Sequence, residues 1–471
     1  MEEKIKLTMN ELFSGIGCQR RGFENSGLFD IEVVNTSDIN KESVLSYAAV
    51  HCSMTNEMVL DYAGYPSREE MAQYLTDINL GYDPDKKKEF DWFKLAKRKN
   101  KDLEKYWLAC KLSDNLGDIS RTGKLQYADL WTISFPCTDI SISGKMAGLD
   151  PGSGTRSSLL WENIRLLKKA RDNNTLPKYL MVENVKNLVS KKFIKHFKEL
   201  LDIFDSLGFN TYWSVINGKD CGVPQNRERV FVIAVRKDTD TGDYTFPKPF
   251  DTGIKLKDVL EEDVDEKYYI PDVKVKKFLG NLKEKYYDGS LDKPKFIGNI
   301  GNSGLGTGYH GSVWDKNYTS PTLTTMQGGG RQPHILCGVQ EPDIIKIGKI
   351  NSSQDGVVVS PDGISPTHTA GHNNVTKILK VPKNSYKKPA IRIRRLTPGE
   401  CWKLMGFTFE DCDKAAAIGV ANTHLYKQAG NGIITDCCKL LAEHLYKAQY
   451  DSTYTCTDER YSGNFTSPQV E

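Results

Sequence analysis

The sequence predicts an α/β protein: a mostly parallel sheet with helices on both faces, accompanied by a small β-rich domain. Three observations predict it. From Lys6 to about Phe246, short apolar runs alternate with longer amphipathic ones, the rhythm of strand–helix–strand units. After Phe250 that rhythm yields to short β-like pieces among glycine turns, and residues 280–330 hold eleven of the chain's 39 glycines. Helical periodicity then returns at Thr397, so the chain leaves its first domain, builds a second and comes back.

Each element follows in order. Candidate strands are Leu7–Phe13, Ile31–Asn35, Leu130–Phe135, Tyr179–Glu183, Tyr212–Ile216 and Val230–Val235. A strong helix is predicted among the last three, because Phe193, Phe197, Leu200, Leu201 and Phe204 fall at i, i+4, i+7, i+8 and i+11, with Gly208 placed to stop it. The segment from about Ser53 to Asn115 is too long for a simple connection and is predicted to be a helical insertion. Within it, Lys86–Lys105 holds nine Lys and Arg against four acids, with Trp92, Phe93 and Trp107 interleaved or adjacent. A solvated helix face with aromatics turned inward and a phosphate-contacting patch both fit that run. In the glycine-rich part, IGNI (297–300) precedes SPTLT (320–324) and IGKI (347–350) precedes SPTHT (365–369), which suggests two related hairpin-like units. Thr397–Met405 and Ile434–Ala448 read as helices, the second with Ile434, Cys438, Leu441 and Leu445 along one face. The expected organisation is a discontinuous first domain of residues 1–270 and 391–450, a β-rich domain of 271–390, and a loose polar tail of 451–471.

Composition narrows the function classes. With 64 Lys and Arg against 61 Asp and Glu the net charge is +3, which argues against a histone-like polyanion binder but allows a local basic face. No run approaches the ~20 apolar residues that a membrane span needs. The N-terminus lacks the pattern of a secretory signal, so a cytoplasmic protein with reduced thiols is expected. Eleven cysteines without a C-x-x-C pair, two of them the adjacent Cys437 and Cys438, argue against both a zinc site and a disulfide scaffold.

Four stretches could carry chemistry. LFSGIGC (12–18) follows the first strand, and Gly15 and Gly17 would let the chain turn tightly under a ligand at the strand's carboxyl end; an ordinary strand–helix turn fits equally. Asp38 closes the second strand, where a carboxylate can take both hydroxyls of a ribose, and Asp118 could accept from an adenine amine; either could instead cap a helix. In SFPC (134–137), Pro136 ends a strand and Cys137 opens a polar Gly/Ser-rich loop, the placement of a nucleophile beneath a mobile lid, although a lone cysteine is more often a small buried residue. Glu183 ends the neighbouring strand YLMVENV, where burial would raise its pKa. Arg227 and Arg229, at i and i+2 in QNRER, lead into the last strand and point to one face suited to carbonyls or phosphates; structural ion pairs are the alternative.

These signals in this order resemble one family, the cytosine-5 DNA methyltransferases of bacteria and phages. LFSGIGC resembles its cofactor-loop motif, SFPC its Pro-Cys nucleophile motif, ENV (183–185) its Glu-Asn-Val motif and QNRER its Q-x-R-x-R motif. RRLTPGECWKLMGF (394–407) is similar to its late conserved helix and QAGNGI (428–433) to its terminal Gly-Asn motif. GSGTRSSLLWE (152–162) and the insertion beginning SREEM (67–71) are especially similar to the CG-specific mollicute enzyme, a similarity of the catalytic half.

The resemblance implies a Rossmann-like methyltransferase domain that uses S-adenosylmethionine, interrupted by a target-recognition domain. It implies Cys137 as the nucleophile at carbon 6 of cytosine, Glu183 at ring nitrogen 3 and the amine, Arg229 at the 2-carbonyl, and Arg227 in support of the same site and the lid. The cytosine must leave the stack to react. By family position, Phe13, Gly15, Gly17, Asp38, Ile39, Asp118, Ile119, Leu159 and Asn431 map onto cofactor contacts. Ser141, Ser143 and Arg156 of the lid, with the Thr322-Leu323 pair of SPTLT, map onto DNA contacts. Cys18 departs from the family's extra glycine, which matters little where no pyrophosphate is cradled, and Thr138 stands where many relatives have Gln. The resemblance implies double-stranded DNA as partner and allows a cognate restriction endonuclease in the same system, with a monomeric enzyme away from membranes. The alternatives are a tRNA methyltransferase of the same fold, which the large glycine-rich domain disfavours, and an inactive DNA-binding regulator, which the intact Cys137, Glu183 and Arg229 disfavour.

Overall fold

A computed structural model describes residues 4–136, 159–250, 252–271, 273, 296–299, 311–323, 325, 332–338, 345–349, 357–360, 377–378 and 391–456. Cys137 and the lid residues Ser141, Ser143 and Arg156 lie outside the described residues, as do SPTHT and the tail from residue 457.

All six strands of the first region form, as β1 (Ile5–Leu12), β2 (Phe29–Ser37), β3 (Leu130–Ile133), β4 (Tyr179–Val185), β5 (Phe209–Asn217) and β6 (Glu228–Arg236). They make one sheet in the order β2-β1-β3-β4-β6-β5. β1 runs parallel to β2 and β3, and β3 parallel to β4. The central strands are buried and, Thr132 apart, apolar in LWTI of β3 and YLMV of β4, because both sheet faces are covered. β6 alone is reversed, antiparallel to both β4 and β5. The turn between β5 and β6 is too short for a crossover helix, so the two strands pair as neighbours in a hairpin. Strand order reverses between β1 and β3, and the crevice at their carboxyl ends is where such sheets bind ligands.

Helices cover each face. On one lie α7 (Leu160–Asp172) and α8 (Ile194–Ser206), the latter burying Phe197, Leu200 and Phe204; Gly208 beyond it has φ +97. The other face carries α1 (Cys18–Ser26) and α2 (Lys41–His51). The 53–115 segment is helical, with α3 (Asn56–Asp61), α4 (Arg68–Asp77), α5 (Trp92–Ala96) and α6 (Asp102–Leu112). Trp92 and Trp107 turn inward as expected, whereas Phe93 is 41% exposed.

The end of the chain returns to the same core through α9 (Pro398–Lys403), α10 (Phe409–Ala417), α11 (Asn422–Asn431) and α12 (Thr435–Tyr450). α9 explains the motif RRLTPGE locally. Thr397 and Glu400 form a capping box with Pro398 in the first turn, and Glu400 also holds Arg394 by two hydrogen bonds of 2.7 and 2.8 Å, all buried. α12 packs on α1 so closely that a Cβ on Gly22 would lie 2.3 Å from Cys438 Cβ.

Between these returns lie short strands. β7 (Phe296–Asn299), β8 (Ser312–Trp314), β9 (His334–Gly338) and β13 (Ile391–Arg395) form a sheet in the order β13-β9-β8-β7; β10 (Ile345–Lys349), β11 (Val357–Ser360) and β12 (Lys377–Ile378) form another. The first three residues of the echoing stretches, IGN (297–299) and IGK (347–349), fall in β7 and β10, each paired antiparallel with the strand that follows it. Among the described residues no helix is long and apolar enough to cross a membrane.

Candidate active site

The loop after β1 turns sharply, with Phe13, Gly15 and Gly17 all at positive φ (58, 55 and 78). Gly17 N–H closes the turn on Ser14 O at 2.8 Å. The two glycines differ in surroundings. A Cβ on Gly17 would lie 2.2 Å from His51 Nε2, so that glycine answers to packing from below, whereas nothing lies within 4 Å of the same point on Gly15. The open side of the loop is therefore at Gly15.

Asp38, half-buried at the end of β2, accepts from Gly15 N–H at 2.9 Å and from Asn40 N–H at 2.6 Å. It does not cap α2; that is done by Asn40, whose side chain accepts from Glu42 and Ser43 N–H. Burial pushes the Asp38 carboxyl up, and the two amides offset part of the effect. Asn115, absent from the sequence-based candidates, clasps this residue: its Oδ1 accepts from Asp38 N–H (2.9 Å) and its Nδ2 donates to Asp38 O (3.0 Å). The same Oδ1 accepts from Gly117 N–H at 3.3 Å, so Asn115 also shapes the approach to Asp118. Asp118 takes Ser120 N–H and Oγ–H on one oxygen and Asn79 Nδ2 on the other, at 2.7–2.9 Å.

Other expected cofactor residues surround this edge. Ile39 is half-buried, its carbonyl taken by Gly81 N–H at 2.7 Å. Ile119 is buried in the core under α7; Arg165 of that helix donates to its carbonyl, and Leu159 begins the helix. Asn431 is exposed at the end of α11, and the next turn leans on the loop, where Ile433 N–H donates to Cys18 Sγ at 3.3 Å.

The second half of the site lies at the ends of β3 and β4. Asn184 Nδ2 donates to Phe135 O at 3.0 Å, and Gln19 Nε2 to Ser134 Oγ at 2.6 Å. The chain is thus pinned at Ser134 and Phe135, the two residues before Pro136, the last described residue ahead of Cys137. Glu183, 8% exposed, faces Arg229 of β6, with Arg229 Nε 3.1 Å from Oε1. Burial raises the Glu183 carboxyl, while the Arg229 and Arg227 cations pull it back in part.

The two arginines part company despite their i, i+2 spacing. Arg227 precedes β6 and is buried; it donates to Leu323 O (2.9 Å), Gly430 O (2.9 Å) and Gly432 O (2.7 Å). Gln225 joins the same knot, donating to Leu404 O at 2.8 Å and accepting from Leu323 N–H at 3.1 Å. Thr322 Oγ1 donates to Asn226 O. Leu323 was expected at the DNA surface, but its side chain is 1% exposed in the main core. It anchors its segment through apolar burial, and Thr322 beside it stays half-buried.

A buried carboxylate with its arginine, and the acidic pair Asp38 and Asp118, thus lie at the carboxyl edge of a switch-point sheet. Residues 94–447 match the family model for C-5 cytosine-specific DNA methylases. The chain belongs to that family. It is 33% identical over 445 residues to the type II methyltransferase M2.ScrFI of Lactococcus lactis subsp. cremoris, covering 94% of this chain and 100% of that protein. It is 32% identical over 370 residues to the orphan methyltransferase M.SssI of Spiroplasma monobiae, covering 76% and 87%. The orphan methyltransferase M.SPBetaI of Bacillus phage SPbeta is 26% identical, covering 93% and 97%. The protein is a DNA (cytosine-5)-methyltransferase, and its relatives come from both bacteria and phages.

Proposed function

We propose that the enzyme methylates carbon 5 of a flipped-out cytosine within a specific duplex sequence, through a covalent adduct with Cys137. The observation that supports this most is the buried Glu183–Arg229 pair beside the pinned 134–136 segment, with the Asp38 and Asp118 edge on the same side of the sheet. The residues fit S-adenosylmethionine: the side of Gly15 is open, and Asp38 and Asp118 each keep acceptor capacity beyond the bonds they make. Phe13, Gly15, Gly17, Asp38, Ile39, Asp118, Ile119, Leu159 and Asn431 would hold it. When bound it supplies an electrophilic methyl group.

The chain's own residues do the rest. The Cys137 thiolate adds to carbon 6, and the displaced electron pair makes carbon 5 nucleophilic. Glu183, its pKa raised by burial, protonates nitrogen 3 as that charge develops, and Arg229 donates to the 2-carbonyl. Once carbon 5 carries the methyl group, loss of its proton to a base returns electrons to the ring, expels the thiolate and releases the nitrogen 3 proton. Arg227 positions the site from behind through Leu323, Gly430 and Gly432. Burial pushes the Cys18, Cys110 and Cys412 thiols to about 12, which leaves them poor nucleophiles.

Residues 1–270 and 391–450 act as the catalytic domain and 271–390 as the target-recognition domain reading base edges in the major groove. Ser141, Ser143, Arg156 and Thr322 contact the DNA, and Leu323 fixes the segment that carries Thr322. The enzyme works as a cytoplasmic monomer in restriction-modification or phage self-protection. Labelled S-adenosylmethionine incubated with duplex DNA or tRNA tests the substrate; label found only in tRNA overturns it. Duplex carrying 5-fluorocytosine at the modified position should trap a denaturation-resistant adduct, because fluorine cannot leave as the proton does. Cys137→Ser should abolish transfer and adduct with cofactor affinity near normal. Arg229→Ala should lower kcat about 100- to 1,000-fold. Full activity in Cys137→Ser removes that residue from the chemistry.

A further inference from the structure

Residues 86–101 carry eight Lys and Arg against two acids, an excess of six in a chain whose net charge is +3, so the remainder of the chain is net acidic. All eight cations are exposed. Lys86 pairs with Asp83 and Lys101 with Glu104; Lys87, Lys88, Lys94, Lys97, Arg98 and Lys99 have no ion-pair partner among the described residues. Exposed charge without counter-charge is held on an ordered backbone. Asp83 accepts from Asp85 and Lys86 N–H and bonds Lys88 backbone to backbone, while Asp91 caps α5. Trp92 is buried with Nε1 donating to Leu80 O at 2.8 Å, and Arg68 Nε donates to Ala96 O at 2.8 Å. Exposed Phe93 shares α5 with Lys94.

This face is tied to the carboxyl edge of the sheet. Gly81 N–H bonds Ile39 O just beyond β2, and Asp118 N–H bonds Ile78 O. Asn115 bridges Thr36 outside β2, so four strand spacings separate that line from β4 and Glu183. At about 4.8 Å each, that is ~20 Å. Along a duplex of ~3.4 Å per base pair, ~20 Å is about six base pairs.

We propose that the 86–101 face is a second phosphate-backbone contact that grips duplex DNA about six or more base pairs from the base being modified. It rests on duplex DNA as the substrate. Lys87, Lys88, Lys94 and Lys97 meet phosphates electrostatically and add affinity without reading sequence.

The test uses full-length protein and fluorescence anisotropy. Duplexes of about 8 and about 36 base pairs, centred on the site that methylation sequencing identifies, are titrated at several salt concentrations. In the Lys87→Gln/Lys88→Gln/Lys94→Gln/Lys97→Gln variant, the slope of log K against log salt on the long duplex should fall by about 2–4 and Kd rise about 10- to 100-fold. Kd on the short duplex should stay within about twofold, as should cofactor affinity by calorimetry. If cofactor affinity drops, Lys97→Gln/Arg98→Gln/Lys99→Gln, farther along the chain from the Ile39 tether, repeats the measurement. An unchanged slope on the long duplex, or equal losses on both lengths, overturns the proposal. Wild-type protein that methylates neither duplex defeats the substrate reading instead, so the two failures are distinct.

Discussion

Glu11 offers the sharpest quantitative test of what underlies the loop after β1. Its side chain is fully buried near the end of β1, and Oε1 lies 3.4 Å from Arg20 N–H in the first turn of α1. Burial raises the carboxyl from 4.5 to about 7, and the nearby Arg20 cation and Tyr47 hydroxyl recover only part of the loss. The folded value exceeds the unfolded one, so between about pH 4.5 and 7 the folded state keeps a proton that the unfolded state releases. Stability therefore falls as pH rises through that window and levels off above it. At 1.36 kcal/mol for each pH unit separating the two values, ionisation costs under about 1 kcal/mol at pH 5, about 2 at pH 6 and about 3 at pH 8. Glu11→Gln removes the ionisation and keeps the shape. Urea unfolding followed by tryptophan fluorescence, run on both proteins from pH 5 to pH 8, should show the variant gaining on wild type by about 2 kcal/mol across that range. Taking the difference between the two proteins cancels other titrating groups. A difference that is flat with pH, or that widens toward acid, would refute the assignment of a buried, reluctantly charged carboxylate.

Two further changes probe the same edge. Asn115→Ala removes the clasp on Asp38 and leaves its buried backbone groups unpaired, so cofactor Kd measured by calorimetry should rise about 10- to 100-fold, from the roughly 1–3 kcal/mol that such groups cost; an unchanged Kd would detach Asn115 from the site. Gly17→Ala meets His51 Nε2 at 2.2 Å with φ at +78, and should destabilise the fold by ~2 kcal/mol or more, read as a lower urea midpoint, whereas Gly15→Ala, open on that side, should fold with less loss and weaken cofactor binding instead.

What the sequence made legible follows from locality. Six strands are readable because each carries a short cluster of apolar residues, a property of each short window, densest in β3 and β4, which are covered on both faces. Strand direction is not such a property, and the reversal of β6 shows only in the shortness of its connection to β5. Asp38 was left between ribose acceptor and helix cap; Asn40, two residues on, takes the cap and frees Asp38 to brace Gly15. Arg227 and Arg229 look alike in sequence, yet one meets the carboxylate and the other meets carbonyls from Leu323, Gly430 and Gly432. Partners that far along the chain leave no local trace. Phe93 and Leu323 depart in opposite directions, one exposed where the solvated-helix reading turns it inward and one buried where a surface contact is expected, because burial depends on which distant segment covers a residue.

Those distant partners share a pattern with consequences for the mechanism. The loop at 12–18 is braced by Ile433 and by α12 packed on Gly22, and the stretch before β6 is braced by Leu404, Gly430 and Gly432. Both edges of the proposed site are therefore completed only when the end of the chain returns. Leu323 docks into the same knot from the glycine-rich region, its N–H on Gln225 and its carbonyl on Arg227. A shift of the 320–323 segment must either carry Gln225 and Arg227 with it or strand buried polar groups, each at a cost of roughly 1–3 kcal/mol. Arg227 lies two residues from Arg229, whose Nε rests 3.1 Å from Glu183. The 320–323 segment of the glycine-rich region is thus fastened, through one buried arginine, to the Glu183–Arg229 pair proposed to meet the base.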